Sequence, residues 1–185
     1  MLRPDLLLVT TPLRGVTTPL RGAPLRVLFL CTGNSARSIL AEALINDPRI
    51  GLGKFQGHSA GSHPRGEVQP LALALLREQG ISTSGLRSKN WNEFANAEAV
   101  SFDVIITVCD RAAAETCPIW PGQPLTAHWS VPDPAAAAGS EDDQWQAYQD
   151  AMRILRRRIE SFAALPIHTL SRPALQKEVR AIGRV

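Results

Sequence analysis

The chain has 185 residues, 44% hydrophobic and 20% charged, a balance that can bury a core and excludes a disordered or collagen-like chain. Its net charge of +3 comes from the ends: residues 1–24 carry three cations and one acid, residues 150–185 eight and three, and residues 25–149 nine against thirteen. Enzymes of nucleic acids gather cations around a groove, so no nucleic-acid partner is expected, and no apolar stretch nears the roughly 20 residues of a membrane helix.

Residues 1–24 hold the tandem repeat Thr10-Thr11-Pro12-Leu13-Arg14-Gly15 and Thr17-Thr18-Pro19-Leu20-Arg21-Gly22, rich in turn formers and without periodicity; they read as a flexible arm. Leu6–Val9 is too short for a signal core, so a cytoplasmic protein is expected. From Leu25 the run Val27-Leu28-Phe29-Leu30 predicts a strand buried on both faces, and Ile39–Leu44 a helix ending before Pro48. A second strand is predicted from Lys54 to Ala60, and a helix from Gln69 to Gln79 with Pro70 near its start and Gly80 past its end. Asp103–Val108 and Leu125–Trp129 read as further strands. Ser140-Glu141-Asp142-Asp143 signals the start of a helix running to about Ala164. After Ser171-Arg172-Pro173, the spacing of Leu175, Val179 and Ile182 predicts a last helix, packed on the domain or on a partner subunit. Alternating strands and helices predict an α/β fold, a parallel sheet covered on both faces.

The chemistry concentrates after the first strand. Cys31 and Arg37 are joined by Thr32-Gly33-Asn34-Ser35-Ala36 and followed by Ser38. Amides of such a loop form a nest for an oxyanion, the helix N-terminus adds positive potential, and Arg37 offers a planar fork. The same field is expected to lower the Cys31 pKa toward the nucleophilic thiolate, with Ser38 as hydrogen-bond donor to the sulfur. Gly33 and Asn34 tolerate left-handed backbone. Three cysteines, Cys31, Cys109 and Cys117, are too few for a disulfide framework and read as cytosolic thiols.

The block from Cys31 to Ser38 resembles the signature of the low-molecular-weight protein tyrosine phosphatase family, which includes phosphatases and arsenate reductases. The resemblance runs from about Leu25 to Leu165. It implies an open four-stranded parallel sheet flanked by helices over residues 25–165, with residues 166–185 as a C-terminal helical extension. It makes Asp133-Pro134 the acid loop, Asp133 protonating the leaving oxygen. Phosphatases of the family usually follow Asp-Pro with an aromatic residue that walls the phosphotyrosyl slot; here Ala135-Ala136-Ala137-Ala138 follows. Cys109, just after the third strand, and Cys117-Pro118 read as lying on one loop across Asp110–Thr116 at the sheet edge of Cys31, and they resemble the second and third cysteines of arsenate reductases. There one cysteine attacks arsenate, a second displaces arsenite and forms a disulfide with the first, and a third carries the disulfide to the surface. Thiol exchange requires each thiolate to lie within reach of a sulfur.

The resemblance therefore implies an arsenate reductase that takes arsenate or phosphate in the loop, with thioredoxin, or glutaredoxin with glutathione, as reductant. A protein tyrosine phosphatase is the enzymatic alternative, and a non-catalytic oxyanion-responsive interaction protein the alternative of another class. Two departures are visible: Ala36 stands where many relatives have a further cysteine, and the Cys109–Cys117 spacing is one residue longer than in the reductases.

No cofactor is expected, and no metal, since the cysteines with His58, His63, His128 and His168 have no compact ligand spacing. The resemblance gives Asn34, Glu42 and Ser59 the support of the loop, a place that in some relatives also binds potassium; Lys89 is positioned to put its ammonium there. Trp91, Trp120, Trp129 and Trp145 read as packing, and Arg153, Arg156, Arg157 and Arg158 as a solvated helix face.

Overall fold

The structure is a computed structural model in which residues 23–95, 100–115 and 118–184 are described; residues 1–22 of the expected arm, and Cys117, lie outside the described residues. The first strand, β1 (Leu25–Cys31), is buried from Val27 onward. Val27, Phe29 and Cys31 face the main core, while Leu28 and Leu30 face a smaller cluster with Ala60, Phe102 and Ile105. Burial on both sides is why the strand reads as an unbroken apolar run.

A helix, α1 (Arg37–Asn46), leads to β2 (Phe55–Gly61), paired parallel to β1 with Cys31 opposite Gly61. Then come α2 (Pro70–Glu78), β3 (Val104–Thr107), α3 (Asp110–Ala114), β4 (Leu125–His128), α4 (Glu141–Ala164) and α5 (Arg172–Ile182). The order β2-β1-β3-β4, all parallel, makes the expected open four-stranded sheet flanked by helices. In α4, Tyr148, Ala151, Met152, Leu155, Ile159 and Phe162 form the buried stripe, and Ser140 with Asp143 closes a capping box at its start.

Both sheet edges are closed by a side-chain amide. Asn46 donates to Gly57 O (2.9 Å) and accepts from Gly57 N (2.8 Å) on β2; Gln176 of α5 donates to Thr126 O (2.6 Å) and accepts from Thr126 N (3.1 Å) on β4. Each imitates a neighbouring strand and blunts an edge that would otherwise recruit one. The last helix thus packs on the domain itself, held also by Trp129 Nε1 donating to Val179 O at 2.9 Å.

Three local features differ from expectation. Asp110–Ala114, read as loop, is helical: Ala112, Ala113 and Ala114 favour it, and the Cys109 sulfur caps it by accepting from Ala112 N at 3.4 Å. The second sheet face carries an aromatic cluster that was not foreseen, with Phe102 edge-on to Phe94 and His58. Arg158 is buried, its guanidinium donating to Ser130 O (2.8 Å) and Gly183 O (3.3 Å), because it lies between the β4 exit and the end of α5.

Candidate active site

The loop 32–36 is held from outside by its carbonyls. Thr32 O accepts from His63 N (2.9 Å), Gly33 O from Arg65 N (3.0 Å) and Ser35 O from Gln69 N (2.9 Å). With these carbonyls tied to the segment after β2, amides of the loop turn toward Cys31, and Asn34 N donates to its sulfur at 3.1 Å. This close approach explains Gly61, where a Cβ would lie 2.5 Å from Thr32 O and 3.0 Å from Asn34. Asn34 takes a left-handed φ of 40°, as the sequence suggests. The N-cap of α1, Ala36, contributes no side-chain hydrogen bond, so nothing from the cap competes for the first-turn amides.

Beneath the loop, Asn34 orients a buried network. Its Oδ1 accepts from Lys89 N (2.8 Å), and its Nδ2 donates to Ser38 Oγ (2.9 Å) and Ser59 Oγ (2.8 Å). Ser38 Oγ also lies 2.9 Å from Cys31 Sγ, a contact in which either group can donate; toward a Cys31 thiolate it is Ser38 that donates. Ser59 likewise donates to Glu42 Oε2 at 2.5 Å. Lys89 Nζ lies 3.4 Å from that same oxygen and 3.1 Å from Arg87 O. Because a protein ammonium already serves this carboxylate, the residues do not fit a potassium ion. Burial raises the Glu42 pKa above its ordinary value, against the pull of Lys89 and Ser59.

The expected lowering of the Cys31 pKa is not the net result. Burial pushes the thiol up, the Ser38 and Asn34 hydrogen bonds only partly oppose it, and charge on neighbouring Cys109 would raise it further.

Above Cys31 opens a cleft of about 420 Å³ that gathers Thr32, Gly33, Ser35, Ala36, Arg37, Cys109 and Asp133. Ser38 lies below, against the sulfur. Arg37 donates through Nη1 to Val131 O (3.2 Å) and pairs through Nη2 with Asp133 Oδ2 (2.9 Å). Cys109 Sγ is 3.7 Å from Thr32 Oγ1. No Phe, Tyr or Trp is among the described residues lining the cleft; Ala135 and Ala136 stand beside Asp133 instead. His63, Arg65 and Arg111, which sequence reasoning missed, also line it. His63-Pro64-Arg65-Gly66 comes just after β2, and only that place in the chain, not a motif, could have found His63 and Arg65. With three arginines and an amide-lined loop, the cleft can hold a tetrahedral oxyanion over a cysteine sulfur.

Residues 26–180 match the family model of the low molecular weight phosphotyrosine protein phosphatases. The chain belongs to this family. An arsenate reductase of Halalkalibacterium halodurans is 33% identical over 143 residues, covering 74% of this chain and 94% of its own length. Among solved structures, an arsenate reductase from Archaeoglobus fulgidus matches with a TM-score of 0.58 at 25% identity, over 75% of this chain and 99% of its own. A thioredoxin-dependent arsenate reductase from Corynebacterium glutamicum matches with a TM-score of 0.51 at 25% identity, over 76% of this chain and 64% of its own. The resemblance read from residues 31–38 is thus shown: within the family, the chain groups with arsenate reductases, which are enzymes.

Proposed function

We propose that this protein reduces arsenate to arsenite. Cys31 attacks arsenic while the loop amides and Arg37 hold the oxyanion, and Asp133 protonates the departing oxygen. Cys109 then attacks the Cys31 sulfur, expels arsenite and leaves a Cys31–Cys109 disulfide. Cys117 takes over Cys31's place in that disulfide and presents the Cys109–Cys117 bond to thioredoxin, or to glutaredoxin with glutathione.

The observation that carries this reading is that Cys109 opens onto the same cleft as Cys31. A phosphatase returns its cysteine with water and has no use for a second thiol there. The alanines beside Asp133 also leave a phosphotyrosyl ring without a wall. Cys31, Arg37 and Asp133, gathered in one cleft, speak against a non-catalytic role. The test is arsenate-dependent NADPH consumption with the thioredoxin and glutaredoxin systems supplied separately. Consumption with either supports the reductase and names its reductant; consumption with neither, beside steady hydrolysis of an aryl phosphate, replaces it with the phosphatase.

A further inference from the structure

The thiol that must attack second, Cys109, does not stand alone. Thr32 Oγ1 lies 3.7 Å from its sulfur and donates a hydrogen bond to Glu115 Oε1 at 3.3 Å. A hydroxyl has one proton, and here the carboxylate claims it, so the contact with Cys109 is one in which the thiol donates and Thr32 accepts. The three groups make a directed chain, S–H to O–H to carboxylate. The other carboxylate oxygen, Glu115 Oε2, is buried and has no hydrogen-bond partner among the described residues. A buried acceptor without a donor costs stability and calls for an explanation.

We propose that Glu115 is the base that readies Cys109, acting through the Thr32 hydroxyl as a positioning residue; this rests on the reductase reading. The Cys109 thiol passes its proton to Thr32 Oγ1 as the Thr32 proton moves to Glu115 Oε1. The Thr32 hydroxyl then donates to the new thiolate, beside the Ala112 amide that already donates to this sulfur at 3.4 Å. The Cys109 thiolate attacks Cys31 Sγ of the Cys31–S–As(V) adduct. The S–S bond forms, the S–As bond breaks, and its electron pair passes to arsenic, which leaves as As(III). Each sulfur gives up one electron, and the proton on Glu115 goes to the departing arsenite oxygen or to water. The carboxylate sits between the two cysteines in sequence, in the stretch that the resemblance makes one residue longer than in other reductases.

The experiment is single-turnover arsenite release from the reduced protein, without external reductant, in wild type, Glu115→Gln, Thr32→Val and the double variant, with inorganic phosphate affinity measured alongside. Glu115→Gln is expected to slow arsenite release roughly a hundredfold at neutral pH and leave phosphate affinity unchanged. The double variant should slow it no further than Thr32→Val alone. The Glu115→Gln rate should recover at alkaline pH, where hydroxide deprotonates Cys109 directly. The other charged groups of this cleft, Cys31, Arg37 with Asp133, His63, Arg65, Arg111 and Asp110 with its partner His128, are the same in both proteins. In Glu115→Ala, added formate should restore part of the rate. Wild-type release of arsenite with an unslowed Glu115→Gln overturns the relay alone. So does a loss that neither formate nor alkaline pH repairs, since that marks a structural role. Wild-type protein that releases no arsenite removes the reductase reading itself.

Discussion

Arg37 is turned onto Asp133, Nη2 to Oδ2 at 2.9 Å, so the fork proposed to hold the oxyanion and the carboxylate proposed to protonate the leaving oxygen neutralise one another in the resting cleft. Arg37 is 15% exposed and Asp133 37%, which makes the pair a partly solvated one, worth up to about 1 kcal/mol. An entering anion must draw Arg37 away, and in doing so it frees Asp133 for proton transfer.

Asp133→Asn separates these two roles. Removing the competing charge should tighten inorganic phosphate binding several-fold, as read by calorimetry, because up to about 1 kcal/mol no longer opposes the anion. Chemistry should slow by roughly a hundredfold to ten-thousandfold, since an amide delivers no proton. Unchanged rate and unchanged phosphate affinity together would reduce the Asp-Pro step to a turn.

The Cys31 step carries its own pH signature. Because burial raises the thiol, the thiolate fraction and the rate of adduct formation should climb as pH rises toward the alkaline range. Ser38→Ala removes a hydrogen bond that favours the thiolate, so its pH–rate profile should move to higher pH, with a fall of about tenfold at neutral pH for a bond of roughly 1.5 kcal/mol. Cys31→Ser should abolish adduct formation, and Arg37→Lys should be severe, because a point ammonium cannot reproduce the fork. Stopped-flow adduct formation checks all three; an unmoved Ser38→Ala profile would contradict the assigned direction of that hydrogen bond.

The site was legible where chemistry and chain order coincide. Cys31, Asn34, Arg37 and Ser38 stand in one continuous stretch between a strand and a helix, and their geometry follows from that junction. The carbonyl ties from His63, Arg65 and Gln69, and the Lys89–Asn34 bond, come from distant segments that carry no pattern of their own. The thiol misreading has a related cause. Loop dipoles can be read from sequence, but the depth at which Cys31 is buried depends on how β2 and β3 flank β1. Asp110–Ala114 failed as a loop because Cys109, read only as a redox group, is also the helix cap.

Lys89 and Glu42 give a stability prediction. Their side chains are 5% and 11% exposed, so Lys89→Met leaves a buried carboxylate without its cation, which should cost about 3 kcal/mol at neutral pH. Glu42 already has a raised pKa, meaning that its stabilising contribution is present at acid pH and lost as pH rises through that value. Without Lys89 the value climbs further, so the deficit should be widest at neutral pH and narrow on acidification. Urea melts of both proteins across that range check it; a deficit independent of pH would mean that packing, not charge, is what Lys89 supplies.

The distal cysteines decide between the two enzymes. Hydrolysis regenerates Cys31 with water, whereas the proposed reduction draws two electrons per turnover from protein thiols, with Cys109 proposed as attacker and Cys117 as its final partner. Cys109→Ser should stop arsenite release within the first turnover, because among the described residues no other sulfur besides Cys31 lines the cleft to displace it. Cys117→Ser should complete that turnover and then stall with a Cys31–Cys109 disulfide. Both changes keep Cys31, Arg37 and the loop amides in place, so inorganic phosphate affinity and any aryl phosphate hydrolysis should survive in both. Wild-type protein treated with arsenate and no reductant should carry a Cys109–Cys117 disulfide, detectable by peptide mass mapping. Forming it takes the negative charge off the Cys109 sulfur that caps Ala112 N, and so should weaken the first turn of α3. Amide exchange across residues 110–114 should therefore speed up when the wild-type protein is oxidised. Full multiple turnover in both cysteine variants would sink the relay and leave a reductase served directly by an external thiol.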